Sequence, residues 1–253
     1  DLTAALVPQE AFARATIICR QEAVICGQPW VMEILKQIAP TAKTAWSVQD
    51  GQHCEPGQVI AEITGPARDL LTAERTCLNF LQTLSAVATK TARYVNEVKG
   101  TRAVILDTRK TIPGLRVAEK YAVRCGGGKN HRMGLFDAML IKENHIAAAG
   151  GLTIAFRAAQ KMVDQVDFIQ VEVETLDQLE EALEAGVTMV LLDNMDLDTL
   201  RTAVSMARGR AVTEASGRIT PETAPAVAAT GVDQIAVGWL THSARVLDIG
   251  LDV

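Results

Sequence analysis

The sequence contains few of the features that mark several large classes of protein. Aromatic residues make up 4% of its 253 residues, and no apolar run approaches the roughly 18 residues needed to cross a bilayer. Its five cysteines are scattered, odd in number and without a Cys-x-x-Cys pair, which disfavours a disulfide framework or a zinc site. With a net charge of −5, the chain also lacks the basic excess of a nucleic-acid-binding domain. These absences predict a soluble, cytoplasmic protein with reduced thiols and without a nucleic-acid or membrane partner.

One stretch of the chain reverses the overall acidic balance. Residues 107–145 contain eight basic and four acidic side chains, a local charge of +4, whereas the rest of the chain carries −9. A compact cationic island in an acidic protein favours a small polyanionic ligand over an extended nucleic acid. Within it, Arg116, Lys120 and Arg124 recur every four residues, which favours the solvated face of a helix over a functional cluster.

The two parts of the chain differ in the order of their predicted strands and helices. Residues 1–100 contain short β-rich pieces and then a long helical pattern that begins near Leu71 and ends at Gly100. Residues 101–253 repeat a strand, a polar tip and a helix, which is typical of a parallel sheet wrapped as an α/β barrel. Six apolar runs qualify as barrel strands: Ala103–Leu106, Ala138–Ile141, Phe168–Val173, Met189–Leu192, Ala211–Val212 and Gln234–Val237. We therefore expect two domains, 1–100 and 101–253.

Cationic side chains follow the first strands of the predicted barrel, where strand ends face a common mouth. Arg109 and Lys110 come after the first strand, and they combine a planar fork for carboxylate or phosphate with a point charge. Lys142 follows the second strand, where it could bind phosphate or form a Schiff base. The glycine run before His131 and Arg132 fits neither a dinucleotide fingerprint nor a P-loop. It is compatible with close approach to an anion or with a flexible loop.

Acidic and glycine-containing strand ends follow further along the chain. Asp193 and either Glu172 or Glu174 end neighbouring strands, and carboxylates there suit Mg²⁺ held with water and phosphate oxygens. Strand alternation puts both glutamates on the same side and does not choose between them. Segments 216–218 and 238–243 follow the last two strands, where barrels often bind phosphate through backbone N–H groups.

Seven strings spread along the chain carry a resemblance to one known family. They are ERTCLNFLQTLS, DTRKTIPGLR, KYAVRCGGGKNHRMGLFDAMLIKENHI, VEVET, LLDNM, EASGRI and VGWLTHS. Together they closely resemble the quinolinate phosphoribosyltransferase family, over essentially the whole chain, and the pairing of TRKT with NHR is highly specific. The resemblance implies an α/β protein with an N-terminal α/β sandwich domain and an open, incomplete α/β barrel of about seven strands. It also implies a pentosyltransferase of de novo NAD biosynthesis, which converts quinolinate and phosphoribosyl pyrophosphate (PRPP) to nicotinate mononucleotide, CO₂ and pyrophosphate.

The resemblance implies roles for individual residues. The group that would bind quinolinate comprises Arg75, Thr108, Arg109, His131 and Arg132. The group that would bind PRPP comprises Lys110, Lys142, Glu172, Asp193, Ser216, Gly217, Arg218, Val237, Gly238 and His242. The catalytic subset is Lys110, Lys142, Glu172 and Asp193. Mg²⁺ would be held, directly or indirectly, by Glu172 and Asp193, so the match selects Glu172 over Glu174.

The resemblance also implies an assembly, in which Arg75 reaches into the neighbouring subunit's site. A homodimer is then the smallest active unit, and the resemblance does not decide between a dimer and a higher oligomer. Members of the family usually carry a further N-terminal helical segment that this chain does not match, and the chain begins at Asp1 without Met. We therefore expect a missing leading segment, which bears on dimer packing and on the lid of the site.

Three alternatives compete with this interpretation. A nicotinate phosphoribosyltransferase handles one carboxylate, for which Arg75, Arg109 and Arg132 together are more than is needed. A class I-type aldolase would use Lys142 for a Schiff base, but it would leave the strand-end carboxylates and the phosphate loops without a purpose. A non-catalytic phosphometabolite-binding barrel would bind ligand without turnover.

Overall fold

The structure, a computed structural model, describes residues 1–252. Its residues group into two compact units. Residues 1–92, 118–127 and those from 243 onward form the first, which we call the N-terminal unit. Residues 93–117 and 128–242 form the second, which we call the barrel unit.

Strands and helices alternate along most of the described chain. The strands are β1 (Phe12–Cys19), β2 (Ala23–Val24), β3 (Lys43–Trp46), β4 (His53–Cys54), β5 (Gln58–Pro66), β6 (Val104–Leu106), β7 (Met139–Ile141), β8 (Ile169–Val173), β9 (Met189–Asp193), β10 (Val212–Ser216), β11 (Gln234–Ala236) and β12 (Ile249–Asp252). The α-helices are α1 (Gln28–Ile38), α2 (Ala67–Glu97), α3 (Arg116–Cys125), α4 (Glu143–Ala149), α5 (Leu152–Gln160), α6 (Leu176–Glu184), α7 (Leu197–Ala207), α8 (Ala224–Ala228) and α9 (Trp239–His242). Short 3-10 helices cover Ala4–Leu6 and Val163–Gln165.

The N-terminal unit contains a four-stranded antiparallel sheet in the order β12-β1-β5-β3. Alternate residues of β1 point into the core, where Ala15, Ile17 and Cys19 are fully buried. Apolar residues of α1 and α2 join the same core, including Val31 and Leu81. Each fully buried side chain of this size contributes about 1.5–3 kcal/mol to folding. This packing of helices on a sheet confirms the predicted α/β sandwich.

The chain returns to the N-terminal unit twice, unlike the single boundary predicted at residue 100. Its end pairs with the start of the chain, because β12 lies antiparallel to β1 in the sheet. Most of α3 also belongs to this unit, and Lys120 on it is only 1% exposed, so the expected solvated stripe is wrong at Lys120. Directly after α3, Gly126 packs so closely that a Cβ there would lie 2.3 Å from the carbonyl oxygen of Ala88. Close packing on α2, rather than anion binding, explains Gly126.

The barrel unit contains a six-stranded sheet in the order β6-β11-β10-β9-β8-β7. All neighbours in this sheet run parallel, and β6 and β7 stand at its two edges. The six predicted strands are therefore confirmed, with shifts of a few residues at their ends. An isolated parallel bridge joins Leu106, the last residue of β6, to Lys129, which lies outside the named strands. The barrel is open and incomplete, with six strands among the described residues where about seven were expected.

Two helices of the barrel unit show how local sequence sets where a helix begins. The Thr175-x-x-Gln178 spacing is that of a capping box, and the Thr175 hydroxyl accepts a hydrogen bond from the Gln178 N–H at 3.2 Å. Although Pro221 is a residue type favoured at a helix start, α8 begins at Ala224, after a turn in which the Ala224 N–H donates to the Thr220 carbonyl. Across residues 1–252, every helix is too short or too polar to span a bilayer.

Candidate active site

A cavity of about 630 Å³ opens where the barrel strands end. Fourteen of the fifteen residues predicted for the site line it: Thr108, Arg109, Lys110, His131, Arg132, Lys142, Glu172, Asp193, Ser216, Gly217, Arg218, Val237, Gly238 and His242. The fifteenth, Arg75, belongs to the N-terminal unit, where its exposed side chain lies 3.8 Å from Glu74 on α2. The convergence expected of strand-end residues is thus observed in the barrel unit, and the role of each residue toward a ligand stays a prediction.

Two guanidinium groups, those of Arg109 and Arg132, form a cationic wall of this cavity. Burial lowers the pKa of Arg132 from its usual value, and the nearby charge of Arg109 lowers it further. The Nη1 atom of Arg109 is buried without a hydrogen-bond partner among the described residues. A buried donor without a partner costs free energy. Two neighbouring cations, one of which has an unused donor, therefore form a wall that an anionic ligand would complete.

Arg116 ties together the two loops that carry these guanidinium groups. Its Nη2 donates to the Arg109 carbonyl at 3.4 Å, and its Nη1 donates to the Met133 carbonyl at the same distance. Its Nε donates to the Thr111 hydroxyl at 3.2 Å. Arg116 was expected on a solvated helix face, but it instead holds the backbone of the cationic wall. Its position at the very start of α3 brings it within reach of both loops.

His131 lies on the floor of the cavity, and both of its ring nitrogens already have partners in the protein. Nδ1 accepts the backbone N–H of Arg132 at 2.8 Å, which leaves the proton on Nε2. Nε2 lies 2.9 Å from the Gln170 side-chain oxygen and 3.4 Å from a carboxylate oxygen of Glu214. A hydrogen bond from this ring to a ligand would therefore have to replace one of these. The network fixes the ring and, through it, the start of the Arg132 loop.

A lysine and two carboxylates form the opposite wall. The Lys142 ammonium lies 2.8 Å from a carboxylate oxygen of Glu172, whose side chain is 8% exposed. Burial raises the pKa of Glu172, the Asp193 charge adds to that rise, and Lys142 opposes it. Glu174 is exposed beyond the end of β8, so the structure agrees with Glu172 as the cavity residue.

These oxygen atoms fit Mg²⁺ only in partnership with a ligand. Glu172 and Asp193 supply the hard donors that Mg²⁺ prefers, and such ions are usually bound through one or two carboxylates plus water and substrate oxygens. Within the described residues, no group of three close metal-ligating side chains lies in this cavity. The two carboxylates alone do not make a protein-only metal site, and the binding of Mg²⁺ here stays a prediction.

The third side of the cavity is formed by turns with little side-chain bulk. Gly217 has a φ of 113°, and a Cβ there would lie 2.3 Å from the side-chain oxygen of Asn194. A Cβ at Gly238 would lie 3.1 Å from Cδ of Lys110. Arg218 and Asn194 also have positive φ angles, of 50° and 54°. Unusual backbone conformations often cluster at ligand sites, and here Asn194, Gly217 and Arg218 all line the cavity.

Three polar residues that the sequence did not single out for the site also line the cavity. They are Asp107, Asn194 and Glu214. Asp107 is fully buried and accepts hydrogen bonds from the His131 N–H and from the Asn130 side chain. Glu214 is also fully buried, and one of its carboxylate oxygens has no partner among the described residues. Strand alternation could have found it, because it precedes Ser216 by two residues on β10.

The fold and the cavity together define a class: an enzyme of the α/β-barrel type that takes a small ligand with several negative charges at the strand ends. The family description "Quinolinate phosphoribosyl transferase, N-terminal domain" matches residues 1–85, and "Quinolinate phosphoribosyl transferase, C-terminal domain" matches residues 87–252. The chain belongs to the quinolinate phosphoribosyltransferase family.

Curated relatives and solved structures agree with this assignment. The chain is 42% identical, over all of its length and 88% of the relative's, to a probable nicotinate-nucleotide pyrophosphorylase [carboxylating] of Bacillus subtilis. It is 43% identical, over 99% of its length and 90% of the relative's, to the enzyme of that name from Mycobacterium leprae. A solved nicotinate-nucleotide pyrophosphorylase from Francisella tularensis is 44% identical, with a TM-score of 0.97 over the whole chain and 89% of that structure.

Proposed function

We propose that this protein transfers the phosphoribosyl group of PRPP to quinolinate and releases pyrophosphate and CO₂, so that nicotinate mononucleotide is formed. The names of its relatives support this reaction. The single observation that carries it is the pair of neighbouring guanidinium groups, Arg109 and Arg132, on the cavity wall. Quinolinate differs from nicotinate by a second carboxylate, and a pair of arginines is what a second carboxylate requires.

Quinolinate binding would fall to the cationic wall. Arg109 and Arg132 would each pair with one carboxylate, and Thr108 would donate its hydroxyl nearby. His131 would act mainly through position, because its ring nitrogens bond within the protein. One charge pair at about 4 Å is worth roughly 4 kcal/mol at an effective dielectric of 20, before desolvation. Two such pairs would hold the ring and fix its nitrogen relative to PRPP.

PRPP would bind along the remaining walls. The 5′-phosphate would lie against the low-bulk turns: Ser216, Gly217, Arg218, Val237, Gly238 and His242. Lys110 and Lys142 would neutralise the pyrophosphate, and Glu172 and Asp193 would face the ribose hydroxyls. Mg²⁺, held by these carboxylates with substrate oxygens and water, would add further neutralisation of the leaving group.

The chemistry would depend mostly on placement and electrostatics. As pyrophosphate leaves C1 of the ribose, positive charge develops on the sugar, and a nearby carboxylate favours it. The pyridine nitrogen forms the new bond to C1 and becomes positively charged. It then accepts the electrons that remain when the adjacent carboxylate leaves as CO₂. A separate organic electron acceptor is therefore not needed for the decarboxylation.

We also propose a homodimer in which Arg75 of one subunit completes the site of its partner. The position of Arg75 supports this, since its side chain is 67% exposed and approaches the Glu74 carboxylate only to 3.8 Å. The five free cysteines support a reducing, cytoplasmic compartment.

Product analysis with matched substrates tests the reaction. The protein is incubated with PRPP, Mg²⁺ and quinolinate carrying a labelled C2 carboxylate. The expected result is one released CO₂ for each nicotinate mononucleotide formed. Replacing quinolinate with nicotinate is the control that separates the two phosphoribosyltransferase activities. Mononucleotide formed from nicotinate, without CO₂ from quinolinate, would contradict the proposal, and so would ligand binding without any product.

A further inference from the structure

A second cluster of chemically reactive side chains lies in the N-terminal unit and takes no part in the proposed reaction. Ligand atoms of Cys26, Asp50 and Cys125 all lie within 4.8 Å of one another. They come from three separate places: Cys26 just before α1, Asp50 in the turn before β4, and Cys125 at the end of α3. Within the described residues, this is the one group of three potential metal ligands that lie so close together.

We propose that Cys26, Asp50 and Cys125 bind a divalent transition metal ion, Zn²⁺ being the best match. Two sulfur atoms and one carboxylate oxygen suit Zn²⁺ and not Mg²⁺, which prefers oxygen alone. Ligand atoms around a tetrahedral zinc ion lie roughly 3.5–3.8 Å apart, so only small side-chain movements are required. Each thiol would release its proton on binding, and no oxidation or reduction is involved.

The carboxylate of Asp50 is already oriented by neighbouring groups, as metal-binding carboxylates usually are. Its Oδ1 accepts the backbone N–H groups of Gly27 and Gln28, at 3.0 and 3.2 Å. Its Oδ2 accepts the Tyr121 hydroxyl at 2.9 Å. These three donors are neutral and hold the carboxylate in place without supplying a positive charge. The metal ion would supply that charge.

The two cysteines differ in a way that suits a site with one open side. Cys26 is fully buried, and its backbone N–H donates to the Ser85 hydroxyl at 2.9 Å. Cys125 is partly exposed, as is Asp50, so solvent reaches the cluster from the side opposite the buried Cys26. A metal ion could therefore arrive from solvent at Cys125, and water would occupy the fourth coordination position. Tyr121 would remain as an outer hydrogen-bond donor to Asp50.

The N-terminal unit contains its own negative control. Cys19 and Cys54 are also neighbours, since burial raises the pKa of the Cys54 thiol to about 12 and the nearby Cys19 thiol adds to that rise. Both are fully buried, and no third ligand joins them among the described residues. This pair offers two sulfurs without a carboxylate and without access to solvent. It should not bind the metal ion.

Cobalt(II) substitution tests the site directly, with Co²⁺ and Zn²⁺ as the probes. The full chain is reduced, freed of metal with a chelator and titrated with Co²⁺. We expect one Co²⁺ per chain with sulfur-to-cobalt charge-transfer absorption, which Zn²⁺ then abolishes. Co²⁺ bound only by carboxylates in the barrel cavity would lack that absorption. If the reduced, folded protein shows no sulfur-to-cobalt charge-transfer absorption at saturating Co²⁺, the proposal is overturned.

Substitutions then locate the site. Cys125→Ser and Asp50→Asn should each weaken Zn²⁺ binding, measured by competition with a chromogenic chelator, by at least about 10-fold. Cys54→Ser is the matched control and should leave the affinity unchanged. Unchanged affinity in folded Cys125→Ser protein would contradict the proposal, as would a Cys26–Cys125 disulfide in protein that binds no metal when reduced. The readout is metal binding, so it is independent of whether quinolinate is the substrate.

Discussion

Two carboxylates, Glu172 in the barrel unit and Asp50 in the N-terminal unit, show how differently the two regions treat negative charge. Glu172 is paired with the Lys142 ammonium at 2.8 Å, and burial raises its pKa. Asp50 accepts only neutral donors, two backbone N–H groups and one phenol. The Lys142 ammonium can turn from Glu172 to the negative charges of a ligand, whereas the backbone N–H groups that hold Asp50 are fixed in place. The barrel cavity is therefore suited to ligands that come and go, and the cysteine cluster to an ion that stays.

The same difference extends to the cations. The barrel cavity holds an arginine pair in which Arg109 retains an unused buried donor. In the N-terminal unit, the pair of side chains in the equivalent role is Cys26 and Cys125. Their thiols do not attract anions; they lose protons when they bind a metal ion. The comparison predicts that substitutions in the barrel cavity change turnover, whereas substitutions in the cysteine cluster change metal binding and stability.

The largest expected effect is on quinolinate binding in the Arg132→Ala protein. Removing one partner of a buried charge pair costs about 2–5 kcal/mol, so kcat/KM for quinolinate should fall by at least roughly 30-fold. The dissociation constant of PRPP should change little, because Arg132 is assigned to quinolinate alone. Steady-state kinetics and PRPP titration measure the two quantities. Equal losses for both substrates would refute the division of roles, and Arg132→Lys, which keeps the charge, is the control.

A somewhat smaller effect is expected from mixing two inactive proteins, Arg75→Ala and Lys142→Ala. If Arg75 completes the partner's site, a heterodimer contains one site with both residues intact. After random subunit exchange at equal concentrations, about a quarter of the wild-type activity should return. Activity is followed over time after mixing, with each variant alone as the control. Complete exchange without recovered activity would show that Arg75 does not act across subunits.

The part of the molecule that the sequence could predict follows from local rules. Lys142 and Asp193 were expected at the cavity because apolar runs mark strands, and parallel strands end on one side. The cysteine cluster could not be predicted, since Cys26, Asp50 and Cys125 are brought together only by packing. Lys120 was misjudged for the same reason: spacing along a helix says which residues share a face, but not what that face meets.

A moderate effect on stability, opposite in sign to the effect on turnover, is expected for Glu172→Gln. The raised pKa means that folding favours the protonated carboxyl, so Glu172 stabilises the protein below its unfolded pKa near 4.5. That contribution is lost as the pH rises through the higher folded pKa. The variant should therefore gain stability relative to the wild type as the pH rises through that window, while turnover falls. Urea denaturation at a series of pH values measures the difference in unfolding free energy, and a difference independent of pH would contradict the assignment.

The smallest effect should come from metal-free Asp50 variants, and it separates the two roles of that carboxylate. Oδ1 accepts the N–H groups of Gly27 and Gln28, at the start of α1, and losing such a helix cap costs about 1 kcal/mol. Asp50→Asn keeps an oxygen that can accept these bonds, so it should unfold at nearly the wild-type denaturant concentration. Asp50→Ala should lose about 1 kcal/mol in the same urea titration. With Zn²⁺ added, both variants should gain less stability than the wild type, because metal that binds only the folded state stabilises it in proportion to the logarithm of its affinity. If Asp50→Asn protein gains as much as the wild type, Asp50 is a helix cap alone, and the contrast with Glu172 would then be one of structure without a second ligand.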